Sequence, residues 1–220
     1  MFDVSYFFSV IPKIFMKVPV TLEIALIATF FSLILGILIA VISYYQVPIL
    51  NPLCKFLVSF MRGTPLMPQL FMVYYGPYYI FKVSVHPGYR MTAVYIGFIL
   101  NYAAYFAEIY RSGIQAMDRG QYEAAEILGY SKMQCFFRII LPQVWKKILP
   151  SITNEVISLV KDTSLAFSIS VMEMFTTAKA ISSSESSLAP LVMAGILYYL
   201  FNFVVAFVME QCEKKLNYYY

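Results

Sequence analysis

Charged side chains are scarce in this sequence. Asp, Glu, Lys and Arg make up 13% of its 220 residues, and hydrophobic residues make up 60%, whereas a soluble domain usually carries about a quarter charged residues. So few ionic groups cannot cover a soluble protein of this size, which excludes an ordinary soluble domain. The mean hydropathy of +0.71 favours a lipid bilayer as the surrounding solvent. The net charge of +4 does not indicate a nucleic-acid partner.

Cysteine is rare, and phosphate-binding glycine loops are lacking. The three cysteines, Cys54, Cys135 and Cys212, do not fall at metal-ligand or redox spacings, so the sequence predicts no metal site. No glycine begins a GxxxxGK[ST] phosphate loop. We therefore expect that the chain binds no cofactor and is not an enzyme, and that any ATP is hydrolysed by another polypeptide.

Long apolar runs, by contrast, are abundant. A helix that crosses the bilayer core needs about 20 apolar residues. Five stretches satisfy this length, at about 18–42, 56–80, 91–110, 149–175 and 189–209. The sequence therefore predicts an all-α integral membrane protein in which residues 1–220 form a single transmembrane domain of about five helices.

Basic residues are distributed unevenly between the two sets of helix flanks. One set carries ten: Lys55, Arg62, Arg111, Arg119, Lys132, Arg138, Lys146, Lys147, Lys214 and Lys215. The other set carries five: Lys13, Lys17, Lys82, Arg90 and Lys179. Because basic residues concentrate in cytoplasmic loops, we predict an external N-terminus, a cytoplasmic C-terminus and a cytoplasmic loop at about 111–148.

The fourth apolar stretch carries charges that are costly in a bilayer. An Asp or Lys at the centre of a membrane helix costs roughly 2.5–3.5 kcal/mol, and such residues usually face a water-filled pathway. A zwitterionic amino acid offers an ammonium group to Asp162 and a carboxylate to Lys161. With the hydroxyls of Thr163 and Ser164, the stretch is predicted to line a substrate pathway. The alternative is an ion pair that locks two helices together.

The second apolar stretch is interrupted by prolines. Pro65 and Pro68 each lack a backbone N–H, and unwound backbone at membrane depth occurs where it is buried in protein or lines a cavity. Thr64 and Gln69 are therefore further predicted pathway residues. At the end of the third stretch, Glu108 and Arg111 are three residues apart and can pair on a helix. We interpret them as a structural pair rather than as a substrate contact.

The segment from Arg119 to Gln143 differs from its surroundings, because it is polar and has its own helix signals. Good helix formers occupy 121–128, Gly129 can end that helix in a left-handed conformation, and Ser131 can cap a second helix. Pro142 then either stops the second helix or marks its entry into the next one. Two short helices with a bend fit either a knob for a partner's groove or an amphipathic segment on lipid headgroups.

The same segment resembles the EAA loop of ABC-importer permeases. Its Glu-Ala-Ala, glycine, isoleucine and Leu-Pro positions all match the signature: Glu123, Ala124, Ala125, Gly129, Ile139, Leu141 and Pro142. Three further stretches resemble the polar amino acid permeases of that family: RGTPLMPQLF at 62–71, NYAAYFAEIYRSGIQ at 101–115 and KDTSL at 161–165. The four motifs occur in the family's order along almost the whole chain.

The resemblance implies the fold of a type I ABC-importer permease in a bacterial plasma membrane. It implies that the EAA loop docks into a groove on an ATPase subunit, that two such subunits per complex bind ATP and magnesium, and that a binding protein outside the cell delivers a polar amino acid. Five helices enclose too little for a gated path, so we expect a second copy or a close paralogue. The alternatives are an ion-coupled secondary amino acid carrier and a membrane scaffold for a cytosolic partner.

Overall fold

The chain is helical throughout the part that the structure describes. The computed structural model describes residues 4–84, 86 and 88–216. The helices are α1 (Val4–Phe15), α2 (Val18–Tyr44), α3 (Leu50–Gly63), α4 (Leu66–Phe81), α5 (Tyr89–Gln115), α6 (Arg119–Ile127), α7 (Lys132–Cys135), α8 (Leu141–Asp162), α9 (Met174–Glu185) and α10 (Ala189–Leu216). A π-helical segment at Phe136–Ile140 and a 3₁₀ segment at Thr163–Ile169 complete the order.

Three helices are long and apolar enough to cross a membrane as single helices, at Val18–Tyr44, Tyr89–Gln115 and Ala189–Lys215. Each has 27 residues, which gives a length of about 40 Å against a hydrocarbon core of about 30 Å. Large apolar side chains on α2 and α10 are exposed on the isolated chain, among them Leu26, Phe30, Leu38, Phe203 and Phe207. Their exposure suits contact with lipid or with another membrane subunit.

The other two predicted spans are not continuous helices. The second is divided into α3 and α4 at Thr64, whose extended backbone (φ −123°, ψ 148°) follows from the proline after it. Pro65 is the N-cap of α4, whereas Pro68 lies in its first turn, where a missing N–H costs nothing. The predicted break is therefore confirmed at Pro65 but not at Pro68. The fourth changes from α8 to the 3₁₀ segment after Asp162, and α9 begins only at Met174.

Helix α5 lies at the centre and packs against α2, α3, α4 and α8. It approaches α2 closely at Gly36, where a side chain would place its Cβ 2.8 Å from the Cβ of Phe106 and 3.2 Å from the carbonyl oxygen of Ala103. Phe106 and Ala103 are fully buried. Only a residue without a side chain permits this approach of the two helix backbones.

We expect Gly36→Leu to lower stability, because a side chain at this position would have to separate α2 from α5. Overpacking of a well-packed core typically costs about 1–3 kcal/mol. Gly195→Leu is the matched control, since no heavy atom lies within 4 Å of the Cβ position on that membrane helix. Thermal unfolding of the purified protein in detergent should show a lower midpoint for Gly36→Leu only. Equal midpoints for the two variants would contradict the packing argument.

Candidate functional site

A polar cavity of about 390 Å³ lies between the α3–α4 break, α5 and the end of α8. Ten residues line it: Thr64, Pro65, Leu66, Asn101, Tyr102, Tyr105, Glu155, Ser158, Asp162 and Leu165. Seven of these side chains are polar, which is unusual among helices that face lipid. The volume falls within the range of small-molecule sites, about 300–1,000 Å³.

The acidic wall of the cavity is one face of α8. Glu155, Ser158 and Asp162 are spaced by three and four residues, so they point the same way from the helix. The Tyr102 hydroxyl on α5 donates a 2.7 Å hydrogen bond to Oδ2 of Asp162. The cavity thus presents two carboxyl groups, one of them oriented by a tyrosine.

The opposite wall is the α3–α4 break, and two buried amides hold it in shape. Gln69 is 3% exposed, and its Nε2 donates to Oγ1 and O of Thr64 and to O of Met61, at 2.8, 3.1 and 3.0 Å. Nδ2 of Asn101 donates to Oε1 of Gln69 at 2.9 Å. Backbone carbonyls freed by the break therefore have donors inside the protein, as a membrane interior requires.

The structure brings only part of the predicted pathway set to the cavity. Thr64 and Asp162 line it, while Gln69 lies behind its wall. Thr163 is buried and its hydroxyl donates to O of Val160 at 2.7 Å. Because neighbouring helical residues point about 100° apart, the four residues that begin at Lys161 do not share one surface.

The alternative, an ion pair that locks two helices together, is formed by neither Lys161 nor Asp162 in the described part of the chain. Lys161 is exposed, and none of the ion pairs within 4.0 Å in the described part of the chain includes it. The Ser164 hydroxyl donates to O of Lys161 at 2.8 Å and does not reach the cavity. Asp162 instead bonds to Tyr102.

Five polar lining residues were not predicted to line the pathway: Asn101, Tyr102, Tyr105, Glu155 and Ser158. In the sequence, Glu155 is one of the charged residues within the fourth apolar stretch. A signal was available, because Glu155 and Asp162 are seven residues apart and so share a helix face. That signal required knowing that α8 continues unbroken through both positions.

An ionic cluster lies beside the cavity. The Arg111 guanidinium donates to both carboxylate oxygens of Glu108, from Nε at 2.9 Å and also from Nη2. Arg62 adds a third charge, with Nη1 3.7 Å from Oε1 of Glu108 and its guanidinium carbon 5.6 Å from the centre of the Tyr105 ring. The predicted pair is therefore part of a trio that joins the end of α3 to α5.

The segment at 119–142, which we call the elbow, is built by local signals. The Asp118 side chain accepts from the Gly120 N–H at 2.8 Å and caps α6. Gly129 has φ +79°, as predicted. Ser131 forms a capping box with Gln134 at the start of α7, which confirms the predicted cap.

The second helix of the elbow continues into the next helix, which is one of the two outcomes predicted at Pro142. Helix α7, the π-helical segment and α8 run on without a break. The Leu141 N–H bonds to the Phe136 carbonyl, five residues earlier. This wide turn accommodates Pro142, which has no N–H to donate and lies in the first turn of α8. Pro142 therefore marks the entry into α8.

The elbow is anchored by its inner face and leaves an apolar outer face. Ala125, Cys135 and Ile140 are buried in the main core, with Ile139 packed against it. Glu123, Ala124, Gly129 and Pro142 are exposed, and Leu141 is half-buried. Four large apolar side chains project outward: Ile127 (87% exposed), Leu128 (73%), Met133 (59%) and Phe137 (55%). We call these four the elbow patch; apolar surface beside charged residues is typical of a protein interface.

Comparisons with known proteins agree with this arrangement. Residues 7–218 match the family described as "Binding-protein-dependent transport system inner membrane component". The L-cystine transport system permease protein TcyL of Bacillus subtilis (strain 168) is 39% identical, over 98% of this chain and 92% of that protein. The probable amino-acid permease protein YxeN of the same organism is 35% identical, over 98% of this chain and 96% of that protein.

Solved structures show the same fold. A chain from the "Crystal structure of an amino acid ABC transporter with histidines" superposes with a TM-score of 0.88 at 26% identity, covering 98% of this chain and 99% of that one. A chain of the inward-facing MetNI methionine ABC transporter reaches a TM-score of 0.75 at 14% identity, covering 98% and 99%, and shows the fold alone.

These matches support the resemblance found in the sequence and give no support to an ion-coupled carrier or a membrane scaffold. The family match runs across the elbow and the cavity alike. The chain therefore belongs to the family of binding-protein-dependent transport system inner membrane components, as a permease subunit of ABC importers with the type I fold.

Proposed function

We propose that the chain, as one transmembrane domain of residues 1–220, moves a polar amino acid across a bacterial plasma membrane at the expense of ATP hydrolysed by a partner. One observation carries this proposal: the polar cavity and the exposed elbow patch lie near the two ends of helix α8. Helix α8 begins in the elbow and ends at the acidic cavity wall, so displacement of one site is transmitted to the other.

Five membrane crossings are proposed: α2, α3 with α4, α5, α8 with the 3₁₀ segment, and α10. The excess of basic residues in the elbow and near the C-terminus supports a cytoplasmic position for both. Helices α1 and α9 then lie on the external side. The broken second and fourth crossings meet at the cavity, where irregular backbone is tolerated in a membrane.

The family match and the exposed elbow patch support the proposed partners. The elbow patch of each permease chain would dock one ATPase subunit, so the complex would contain two. ATP and magnesium would bind to those subunits, and this chain would bind no cofactor. Glu123, Ala124, Ala125, Gly129, Ile139, Leu141 and Pro142 are the proposed coupling residues. A second permease copy or a close paralogue would complete the pathway, and a binding protein outside the cell would deliver the substrate.

The cavity chemistry favours an amino acid with a cationic side chain. Asp162 and Glu155 provide two separate carboxyl groups on one helix face. One is available for the α-ammonium group and the other for a second positive charge. Asn101, Thr64 and Ser158 provide neutral hydrogen-bonding groups for the substrate carboxylate. Lys161, Thr163 and Ser164 lie outside the lining and are proposed not to contact the substrate.

We expect Glu155→Gln to change selectivity. Removing one carboxylate should weaken the ability of arginine to compete for ATP-driven uptake by about tenfold or more, because a hydrogen bond to a charged group contributes roughly 1.5–3 kcal/mol. Competition by glutamine should change little. Lys161→Gln is the control because Lys161 is exposed and outside the lining. Equal losses for arginine and glutamine would contradict a charge-selective role for Glu155.

The proposed function is tested by purification in mild detergent, followed by identification of the proteins that remain bound. We expect an ATPase subunit to copurify with the unmodified chain and to be lost when Leu128 and Met133 are replaced by Glu. Replacing the exposed lipid-facing Phe203 and Phe207 by Leu is the control. Recovery of the ATPase with the elbow variant would contradict the docking proposal.

A further inference from the structure

Glu173 is a fully buried carboxylate that lies outside both the cavity lining and the elbow. It has 0% exposure and lies just before α9. Its Oε1 accepts from the N–H and the hydroxyl of Thr176 at 2.6 and 2.8 Å, and its Oε2 accepts from the Phe175 N–H at 2.7 Å. These donors belong to α9 itself, so they stay with Glu173 wherever α9 moves.

Two further donors belong to other helices. Oε2 of Glu173 accepts from the Tyr198 hydroxyl on α10 at 3.0 Å and from the Thr21 hydroxyl on α2 at 3.4 Å. Thr21 also accepts from the Met174 N–H at 3.2 Å. This buried network joins α2, α9 and α10 at one point. No ion pair within 4.0 Å in the described part of the chain involves Glu173.

The network also reaches the cavity wall. The Tyr198 hydroxyl lies 3.3 Å from Oγ1 of Thr163, and Thr163 follows Asp162 directly. A single hydroxyl group therefore touches both the start of α9 and the residue beside the acidic wall. Loss of that hydroxyl removes the hydrogen bonds that link these two elements through Tyr198 and keeps its ring in the core, while the ring contact between Phe167 and Phe175 remains.

We propose that Glu173 and Tyr198 form a latch that holds the external helix α9 against α2 and α10, and that this latch opens during the transport cycle. When α9 moves away, the carboxylate keeps the three hydrogen bonds from its own helix and gives up only those from Tyr198 and Thr21. Glu173 caps α9 in both positions, so the hydrogen bonds to α2 and α10 can break while the cap is kept. This inference rests on the proposed orientation and function.

The first test uses the complete importer in proteoliposomes, with its ATPase subunits and binding protein. Tyr198→Phe removes the hydroxyl and keeps the ring, and Glu173→Gln keeps the shape and removes the charge. We expect each to raise ATP hydrolysis without binding protein by about tenfold, the factor that loss of one charged hydrogen bond allows. The stimulation by loaded binding protein should fall correspondingly.

Tyr199→Phe is the matched control, since Tyr199 is the neighbouring residue and is 69% exposed. A merely structural role would lower the thermal midpoint of the complex and leave the ratio of stimulated to unstimulated hydrolysis unchanged. That result, or the same ratio for Tyr198→Phe and Tyr199→Phe, would overturn the latch. If Glu173→Gln does not assemble, the ratio measured for Tyr198→Phe alone decides the proposal.

A distance measurement follows α9 directly. Spin labels at Ala180 on α9 and Leu26 on α2, introduced with the native cysteines replaced, report their separation. We expect Tyr198→Phe to populate a longer distance in the resting complex, and an unchanged distribution would overturn the proposal. If the unmodified complex hydrolyses ATP but ignores the binding protein, the proposed function has failed, whereas the distance result still decides the latch.

Discussion

Gly129→Pro is expected to leave the protein inserted in the membrane and to abolish ATPase stimulation by loaded binding protein. Gly129 has φ +79° and its N–H donates to the Glu126 carbonyl at 2.9 Å. Proline fixes φ near −65° and has no N–H, so both the turn and the hydrogen bond are lost. The elbow then presents Leu128 and Met133 at the wrong angle to a partner.

The matched control is Gly129→Asn, because asparagine tolerates the left-handed conformation better than other residues with side chains. We expect the Asn variant to retain most of the stimulated ATP hydrolysis. In the Pro variant, stimulated hydrolysis should fall by at least about a hundredfold, because displacing an interface hot spot costs roughly 3 kcal/mol or more. Membrane fractionation establishes insertion. Stimulated hydrolysis of normal size in the Pro variant would rule out the elbow as the coupling element.

Asp162→Asn is expected to remove most uptake. Asparagine still accepts the hydrogen bond from Tyr102, so the shape of the wall is retained while its charge is lost. A charged hydrogen bond is worth roughly 1.5–3 kcal/mol, which corresponds to a loss of about 10- to 100-fold in substrate affinity. Uptake of labelled amino acid into proteoliposomes measures this loss.

Ser164→Ala is the control for this prediction, because the Ser164 hydroxyl bonds only to the Lys161 carbonyl and lies outside the lining. Tyr102→Phe should give a smaller loss than Asp162→Asn, since it frees the carboxylate without neutralising it. Normal uptake by Asp162→Asn in a fully assembled complex would exclude Asp162 from the substrate site.

Features with a local cause could be predicted from the sequence. The left-handed turn at Gly129 and the cap at Ser131 depend on residues within four positions of each other. The break before α4 follows from the restriction that Pro65 places on Thr64. The family motifs added the partners, which no local rule contains.

Features that depend on distant contacts could not be predicted. Gln69 was predicted to face the pathway, but its hydrogen bond with Asn101, 32 residues away in the sequence, and its bonds to Thr64 and Met61 hold it behind the wall. Lys161 was grouped with Asp162, but neighbouring helical residues point about 100° apart, and of the two only Asp162 lines the cavity. The π-helical turn before Leu141, which joins the elbow to α8, was also not indicated by any residue pattern.

The link between Glu173 and Tyr198 could not be predicted from the sequence either. Glu173 stood out in the sequence only as one more charge in an apolar stretch. Its partners lie on α2 and α10, 152 and 25 residues away. Side chains that meet across three helices leave no periodic signal along any one of them.

The central claim is that work done by a partner ATPase at the elbow moves an amino acid through the cavity. The most direct measurement is uptake of labelled arginine into proteoliposomes that contain the complete complex, with ATP on the elbow side and loaded binding protein on the other. We predict uptake that requires both ATP and binding protein and is lost in Gly129→Pro. Uptake driven by an ion gradient without ATP would contradict the account.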